Sequence, residues 1–313
     1  MGKTLSVSIA SYNVERFLDN TLSSLCVDSV LDDIEVIIVN DGSKDSTPSI
    51  ALSYVEKYPQ SFILINKGNG GYGSTINASL AVATGKYYKL LDGDDWFLSE
   101  NLSSFIEALK MTESDIIYTP FYFVEEPEMT MRIETFSFAP GTVLPVSDIY
   151  AVSMHATAVR TDVIRNRIRI TEHCFYTDFE FCLKAMLLSS TLTYFDIPIY
   201  CYRIGQGEQS VSVKGYLKHM DEHEYMTKWM LGTVFGSDRF PLLRKQTENM
   251  ARRHVNILIV NGDRKRYLDF IRYLRRNYPS VPCYESSYQK LVSLLPHLLY
   301  APVSAIKRCR CGL

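Results

Sequence analysis

The sequence contains no run of apolar residues that approaches the length of a membrane-spanning helix. Such a helix needs roughly 18 consecutive, predominantly apolar residues. The first residues pass almost at once into a strand-like pattern and have no signal-peptide character. We therefore expect a mature protein of the cytoplasm.

The number and spacing of the Cys residues do not indicate a disulfide framework or a structural metal site. The seven Cys residues are odd in number and include no pair of C-x-x-C units, which argues against a disulfide framework and against a zinc ribbon. We expect Cys309 and Cys311 to be free thiols. Repeats and low-complexity segments are absent as well. Because 46% of the 313 residues are hydrophobic, a packed core is expected and a wholly disordered chain is excluded.

The chain has no overall excess of one charge, since 33 Lys and Arg residues stand against 35 Asp and Glu residues. This balance conceals two halves of opposite sign. Residues 215–313 contain 17 basic and 8 acidic residues, whereas residues 1–214 contain 16 and 27. The acidic half argues against nucleic acid as a partner. The basic half could face an anionic lipid, an anionic acceptor or a partner domain.

The first half of the sequence alternates strand and helix patterns. Apolar runs predict strands at Leu5–Ala10, Ile34–Val39, Phe62–Ile65 and Lys86–Leu91. Stretches with helical spacing separate these runs. The alternation predicts an α/β fold in which helices connect the strands of a mainly parallel sheet.

Polar clusters occur where the predicted strands end. They contain Asn13, Asp41, Asn69 and Asp92, one for each strand. Ligands of parallel sheets bind beyond the carboxyl ends of the strands. We therefore expect these four clusters to lie at one ligand-binding edge.

The pattern changes along the rest of the chain. Further strands are predicted at Asp115–Thr119, Met131–Phe138 and Thr191–Arg203. Helices are predicted at Tyr216–Gly232, Pro241–Val260, Lys265–Asn277 and Tyr288–Leu299. We therefore expect a domain over residues 1–213 and a helical C-terminal domain over residues 214–313.

Three carboxylates follow the fourth predicted strand, at Asp92, Asp94 and Asp95. Their mutual repulsion is costly unless a cation or hydrogen-bond donors neutralise it. Oxygen ligands suit Mg²⁺ or Mn²⁺. The alternative is a solvated turn in which Asp95 caps the helix that begins near Ser99.

Two loops at the predicted edge have more than one interpretation. Asn40–Ser43 contains ordinary turn residues, but a fixed Asp41 carboxylate could accept a hydrogen bond from the N–H of a base. Gly68–Gly73 matches G-x-G-x-x-G, and Asp92 follows Gly73 by nineteen residues, as in a dinucleotide-binding fold. A neutral ribose does not need the cluster of three carboxylates. An NAD-dependent oxidoreductase is therefore the less favoured alternative.

The stretch from Thr177 to Glu180 begins an apolar helical segment. Acidic residues in a first helical turn commonly offset the helix dipole. The functional alternative is a general base, Asp178, that faces the ligand-binding edge. His155 and His173 flank this region and are minor candidates, because an isolated His is more often structural.

Taken in order, these motifs resemble those of family 2 glycosyltransferases, which are inverting, nucleotide-sugar-dependent enzymes of the GT-A fold. The resemblance extends over about residues 5–212. The fold it implies is a mixed, mainly parallel sheet flanked by helices, here followed by an all-α subdomain. The matching segments are Ser11–Asn13, Asn40–Ser43, Gly70–Asn77, Gly85–Trp96, Asp178, Cys201–Arg203 and Gln209–Ser212.

The resemblance implies a role for each matching residue. Tyr12 would stack on the base, and Asp41 would bind the uracil N–H. Asp92 would contact ribose or metal, Asp94 would bind Mn²⁺ or Mg²⁺ bridging the diphosphate, and Asp178 would deprotonate the acceptor. Further contacts to the nucleotide-sugar are expected from Ala10, Asn13, Lys67, Asn69, Gly70, Asn77, Gly93 and Arg203.

The sequence departs from the family pattern at two positions. Ile76 stands where the family usually has Arg before Asn77, so one donor near the nucleotide-sugar is missing. Thr177 stands where an acid commonly precedes the base. Neither change removes a required group.

The function implied is metal-dependent, inverting transfer of a hexose, with galactose or glucose as a guess, from a UDP-sugar. The acceptor would be a hydroxyl of a glycan, a lipid-linked sugar or a glycoprotein. A nucleotide-sugar-binding protein without turnover is the alternative, but it should lack a base such as Asp178. Residues 288–300 and the basic residues 307–310 could also lie on an anionic membrane, although packing within the protein is favoured.

Overall fold

A computed structural model describes residues 2–205, 212–282, 292 and 296–310 of the chain. The chain divides into two compact units. The first consists of Met1–Val146 and Ser153–Gln206, and the second of Ser147–Val152 and Gly207–Leu313. The domain boundary expected between residues 213 and 214 stays a prediction.

Four parallel strands begin the larger sheet of the first unit. They are β1 (Leu5–Ser11), β2 (Ile34–Asn40), β3 (Phe62–Asn66) and β4 (Tyr87–Asp92), in the order β3-β2-β1-β4. β2 is buried along its whole length, as expected for β-branched residues covered on both faces of a parallel sheet. The four predicted strands are confirmed.

Helices connect and cover these strands, as the alternating pattern predicted. In chain order, the described α-helices of this unit are α1 (Leu18–Ser23), α2 (Thr47–Lys57), α3 (Tyr72–Val82), α4 (Ser99–Lys110), α5 (Thr161–Ile164) and α6 (Thr177–Leu188), of which α1 to α3 lie between these strands. The β-α alternation from β1 to β4 brings the carboxyl ends of all four strands to one edge.

The same sheet continues beyond β4 with shorter strands. Strand β10 (Thr157–Arg160), which the sequence analysis missed, lies antiparallel between β4 and β6 (Ile116–Tyr118). Strand β11 (Thr191–Tyr194) runs parallel to β6, and β9 (Val143–Pro145) pairs with β11 in the antiparallel direction. The eight-stranded sheet is therefore mixed and mainly parallel, which confirms the predicted fold class.

A second, four-stranded sheet packs in the same unit. Its order is β5 (Trp96–Phe97), β12 (Tyr200–Ile204), β7 (Phe121–Glu125) and β8 (Thr130–Glu134). The prediction of a single strand over 191–203 is wrong, because β11 and β12 belong to different sheets. Pro198 lies between them and has no N–H to donate to a ladder, so pairing is interrupted there.

The second unit is helical in its described residues. The helices are α7 (Val213–Lys218), α8 (Met220–Phe235), α9 (Arg244–Asn261), α10 (Arg264–Asn277) and α11 (Pro296–Arg310). Their core includes Leu231, Ala251, Val255, Leu258, Ile259, Tyr267, Phe270 and Leu274. No described helix combines the length and the apolar character that a bilayer-spanning segment needs.

Three of the predictions for the C-terminal half have clear outcomes. The helices predicted to begin at Pro241 and Lys265 are confirmed as α9 and α10, whereas the one over 216–232 is two helices, α7 and α8, which meet at His219. Most of the segment 288–299 lies outside the described residues, as do Gln209 and the side chains of Cys309 and Cys311.

Gly73, in the first turn of α3, lies directly against the backbone of Thr171. A Cβ at this position would overlap the carbonyl oxygen of Thr171. We expect Gly73→Ala to lower the free energy of unfolding by about 2 kcal/mol, because the two backbones would have to separate. Urea denaturation measures this loss. Gly68→Ala is the matched control, since a Cβ there meets no atom within 4 Å, and equal losses in both variants would contradict the explanation.

Candidate active site

The strand register places the predicted polar clusters side by side. Ala10 pairs with Asp92 of β4, and Ser11 pairs with Asn40 of β2. The Gly93 N–H donates to the Ala10 carbonyl at 3.1 Å, so the turn after β4 crosses the end of β1. The residues that follow β1, β2 and β4 therefore leave the sheet at the same edge.

Asp41 organises the Gly-rich loop that follows β3. Its buried carboxylate accepts hydrogen bonds from the Lys67 ammonium at 2.6 Å and from the N–H groups of Gly70 and Gly71, each at 2.9 Å. The Lys67 ammonium also donates to the Ser74 hydroxyl at 2.8 Å. Within the described part of the chain, the second Asp41 oxygen, Oδ2, accepts only the Gly71 N–H, which leaves it capacity for one further donor.

The chain beyond β1 is tied to the turn that contains Asp41. Asn13 has the left-handed backbone conformation, with φ of 53°. Its N–H donates to the Ser43 hydroxyl at 3.0 Å, and its side-chain oxygen accepts from the Lys44 N–H at 2.8 Å. Tyr12 is 50% exposed and thus open to a planar ligand, whereas the Asn13 side chain is used within the protein.

The three carboxylates after β4 have different surroundings. Asp92 accepts from the Tyr72 hydroxyl at 2.8 Å. Asp95 is fully buried and accepts from the Tyr200 hydroxyl at 2.6 Å and from the Arg203 N–H at 2.7 Å. Asp95 therefore does not cap the helix near Ser99, and the interpretation as a solvated turn is wrong.

Burial makes ionisation of this cluster costly. Burial and the neighbouring charge of Asp94 raise the pKa of Asp92 to about 7. Burial likewise raises the pKa of Asp94 and, with the charges of both neighbours, that of Asp95. A group of neighbouring oxygen ligands whose ionised forms repel one another fits a divalent cation, which would favour the ionised forms.

His155 brings a nitrogen ligand to this cluster. One ligand atom each of Asp92, Asp95 and His155 lies within 4.8 Å of the others. Burial, with the nearby Lys89 charge, lowers the pKa of His155 to about 3, so its imidazole is neutral. Asp94, which we predicted to be a metal ligand, does not belong to this group of closely spaced atoms.

Arg203 binds the backbone of the acidic turn, residues 92–95. Its Nε donates to the Asp94 carbonyl at 2.7 Å, and its guanidinium forms an ion pair with Glu126. The guanidinium carbon lies 4.9 Å from the ring centre of Phe17 and 4.8 Å from that of Trp96. Arg203 is therefore buried within the protein, and its predicted contact to the nucleotide-sugar stays a prediction.

The Asn77 side chain binds the segment that precedes α6, not the loops at the carboxyl ends of the strands. Its amide nitrogen donates to the Ile170 carbonyl at 2.9 Å and to Glu172 at 3.1 Å, and its oxygen accepts from the Ile170 N–H at 2.8 Å. These bonds fix the segment that precedes α6 to α3. Asn69, by contrast, is exposed in the loop after β3.

Asp178 is the second residue of α6, which begins at Thr177 as predicted. Burial raises the pKa of Asp178 to about 6, and the backbone N–H groups at the start of its own helix oppose this shift. Its charge helps to raise the pKa values of Asp92 and Tyr72, so the Asp178 carboxylate lies near the acidic cluster. Asp178 can therefore take a proton from a group bound beside that cluster.

Glu180, the other acid of this turn, is structural. It is buried and accepts from the N–H of Thr171 at 3.0 Å, from the Thr171 hydroxyl at 2.9 Å and from Lys184 at 2.6 Å. These bonds hold the preceding segment against α6.

Sequence reasoning missed the tyrosines that bind the acidic turn. Tyr72 lies inside the Gly-rich segment and could have been noticed there, but its partner Asp92 is twenty residues away. Tyr200 is on β12, and no local pattern indicates that it reaches Asp95. Lys89 was also missed: it is fully buried and donates to the carbonyls of His155 at 2.7 Å and Thr157 at 3.2 Å.

Residues 6–172 match the model of the family described as glycosyl transferase family 2. The chain belongs to this family. The family resemblance inferred from the motifs is thereby confirmed, since the matched region begins within β1 and includes β2, β3, β4 and the acidic turn.

Curated relatives of this family 2 chain are similar over part of their length. The minor teichoic acid biosynthesis protein GgaB of Bacillus subtilis is 31% identical over 176 residues, which cover 54% of this chain and 19% of that protein. The putative glycosyltransferase EpsH of Bacillus subtilis is 28% identical over 221 residues, or 64% of this chain and 60% of that protein. The chain thus spans a fifth to three fifths of these relatives.

Solved structures are similar in fold. S. aureus TarS 1-349 in complex with UDP-GlcNAc has a TM-score of 0.60 at 19% identity, covering 99% of this chain and 92% of that one. The mannosyltransferase PcManGT from Pyrobaculum calidifontis, in complex with GDP-Man and Mn²⁺, has a TM-score of 0.56 at 13% identity, covering 98% and 87%. The GT-A fold is confirmed.

Proposed function

We propose that the chain is a metal-dependent, inverting glycosyltransferase that moves a hexose from a UDP-sugar to a hydroxyl of a glycan, lipid-linked or glycoprotein acceptor. The observation that carries the proposal is the Asp178 carboxylate, which lies near enough to the acidic cluster at the end of β4 for its charge to help raise the pKa of Asp92. UDP and UDP-GlcNAc are ligands of similarly folded S. aureus TarS, which supports a uridine diphosphate donor.

Donor binding would use the edge where β1, β2 and β4 end. Tyr12 is exposed and offers a ring on which the base can stack. Asp41 would accept the uracil N–H at Oδ2, where one lone pair remains. Lys67 and Gly70 would shape the pocket through the loop that Asp41 orders, and Ala10 and Gly93 through the ends of β1 and β4.

The metal would be held by Asp92 together with Asp94, or with Asp95 and His155. When bound, a divalent cation supplies positive charge that stabilises the leaving diphosphate. The acidic cluster fits Mn²⁺ or Mg²⁺ because its ligands are mainly oxygen atoms.

Transfer needs one proton acceptor and one displacement. Asp178 would take the proton of the acceptor hydroxyl while the acceptor oxygen bonds to the anomeric carbon. The bond between that carbon and the β-phosphate oxygen breaks, and UDP keeps the electron pair. A single displacement inverts the anomeric carbon, so an α-linked donor gives a β-linkage.

The G-x-G-x-x-G match at Gly68–Gly73 was the main support for the alternative of an NAD-dependent oxidoreductase, and the hydrogen bonds of this loop argue against it. In a dinucleotide-binding loop, backbone N–H groups are directed at the pyrophosphate. Here the N–H groups of Gly70 and Gly71 are bound to the Asp41 carboxylate.

A panel of UDP-sugars tests the proposal. We expect the purified protein to release UDP from one hexose donor with Mn²⁺ and to lose this activity with EDTA. Thermal shift supplies the control for slow hydrolysis, since UDP with Mn²⁺ should raise the melting temperature and NAD should not. Stabilisation by NAD alone would reject the proposal in favour of the oxidoreductase.

We also propose that residues 1–213 are the catalytic domain and that the helical remainder contacts anionic membranes peripherally, on the cytoplasmic side. Supporting this, α10 buries Tyr267 and Phe270 while Lys265, Arg272 and Arg276 are exposed on its other side. Basic side chains near a surface are attracted to anionic lipids. Flotation with anionic and neutral vesicles tests the contact, and equal recovery with both would reject it.

A further inference from the structure

The Tyr72 hydroxyl lies between the acidic turn and the residues that precede β10. It donates a hydrogen bond to Oδ1 of Asp92 at 2.8 Å and lies 3.2 Å from the sulfur of Met154. A hydroxyl has one proton to donate, and a carboxylate is a much stronger acceptor than a thioether. The Tyr72 proton is therefore donated to Asp92.

The backbone that carries Tyr72 is fixed on both sides. On one side, the Gly71 N–H donates to the Asp41 carboxylate at 2.9 Å, and a Cβ on Gly71 would lie 3.3 Å from the backbone of His173. On the other side, Gly73 packs against the backbone of the segment that precedes α6. The Tyr72 hydroxyl is thus presented from a fixed position, which is what a group that orients a ligand requires.

The two carboxylate oxygens of Asp92 have different environments. Oδ1 accepts the Tyr72 hydroxyl, whereas Oδ2 accepts no hydrogen bond from the described part of the chain. The main chain of Asp92 is also held, because its N–H donates to the Tyr200 hydroxyl at 3.1 Å. One oxygen of Asp92 is therefore bound within the protein, and the other keeps its lone pairs for a ligand.

We propose that Tyr72 is a positioning residue that holds Oδ1 of Asp92, so that Oδ2 is available to the divalent cation of the donor complex. This inference rests on the proposed function and specifies how its metal ligand is oriented. Asp92 belongs to both ligand sets given above, so the inference holds whichever of them binds the cation. Groups that hydrogen-bond a metal ligand fix its orientation, and their removal typically weakens metal binding by roughly 10–100-fold.

The test compares Tyr72→Phe, which removes only the hydroxyl, with two controls. Tyr87→Phe removes a buried hydroxyl at the opposite end of β4, where it donates to the Ser114 carbonyl at 2.9 Å. Met154→Leu removes the sulfur with little change of volume. Calorimetric titration of Mn²⁺ into the full chain with UDP present measures the affinity. We expect Tyr72→Phe to raise the Kd for Mn²⁺ about tenfold or more, and both controls to stay within about twofold of wild type.

Two further readouts distinguish the orientation of a metal ligand from a general effect on the fold. The Kd for UDP measured with EDTA should be within about twofold of wild type in Tyr72→Phe, because no cation is then bound. In turnover, excess Mn²⁺ should restore the rate of Tyr72→Phe toward that of wild type. The half-saturating Mn²⁺ concentration should rise by the same factor as the Kd.

The possible failures of this inference and of the proposed function are distinguishable. A change in the Mn²⁺ Kd of less than about threefold in Tyr72→Phe would overturn the inference and leave the proposed transferase intact. Equal weakening of UDP binding with EDTA and with Mn²⁺ would also overturn it, because the hydroxyl would then support the nucleotide pocket and not the cation. A wild-type protein that binds UDP but no divalent cation would instead reject the metal dependence of the proposed function, and this inference with it.

Discussion

Asp178→Asn is expected to lower kcat about 10³-fold while the Kd for UDP stays within about twofold of wild type. A positioned general base contributes roughly 10²–10⁴-fold to a rate. The amide cannot accept the proton of the acceptor hydroxyl, yet it keeps the size of the carboxylate. Single-turnover kinetics measures the chemical step, and isothermal titration with UDP and Mn²⁺ measures donor binding.

The control for this variant is Asp162→Asn, which makes the same change at an exposed residue of α5. It should have wild-type kinetics. If Asp178→Asn retained a tenth or more of the wild-type rate, another group would have to be the base.

Because the pKa of Asp178 is raised, the reaction rate should fall on the acid side of its pH profile. The base works only when ionised, and burial raises its pKa to about 6. The wild-type rate should therefore be half-maximal near pH 6 and fall about tenfold per unit below it. An unperturbed carboxyl, with a pKa near 4, would keep full activity at pH 5. The residual activity of Asp178→Asn should lack this limb.

Asp94→Asn is expected to lower kcat/KM about 10³-fold and to abolish the stimulation by Mn²⁺. The amide keeps the size of the side chain but removes the negative charge that the resemblance assigns to the cation. Without metal, the variant should melt at a higher temperature than wild type, because one of three neighbouring carboxylates that repel one another is gone. Calorimetric titration of Mn²⁺ in the presence of UDP measures the site directly.

His155→Gln is the matched comparison, because it removes the nitrogen ligand and leaves the three carboxylates in place. If Asp94 holds the cation, His155→Gln should bind Mn²⁺ within a few-fold of wild type. The opposite result, with binding lost in His155→Gln and kept in Asp94→Asn, would assign the cation to the group formed with Asp92 and Asp95.

Local patterns predicted the parts of the fold that depend on neighbours in sequence. A run such as Ile34–Asn40 indicates a buried strand by its composition, and the turn residues after it indicate where the strand ends. Because parallel strands carry their carboxyl ends to one edge, the meeting of Asp41 and Asp92 at that edge followed from the order of elements.

The features that the sequence did not predict depend on pairs of residues that are far apart in the chain. Strand β10 exists because β4 and β6 each offer it an antiparallel partner, which its four residues do not indicate. Asp95 was open to interpretation as a helix cap because its true partners, Tyr200 and Arg203, are more than a hundred residues away. Asn77 lies in the family motif, yet its side-chain amide forms hydrogen bonds with the backbone of Ile170.

The hydrogen bonds between Asn77 and Ile170, and from the His173 N–H to the Gly70 carbonyl, restrict how the segment that precedes α6 can be engineered. Residues 170–176 cannot be exchanged between relatives as an independent cassette, because their conformation is dictated by side chains and backbone in α3 and its preceding loop. A chimaera that carries this segment from a relative would have to import Asn77 and Gly73 together with it. The conformation of this one segment thus depends on two separated blocks of sequence.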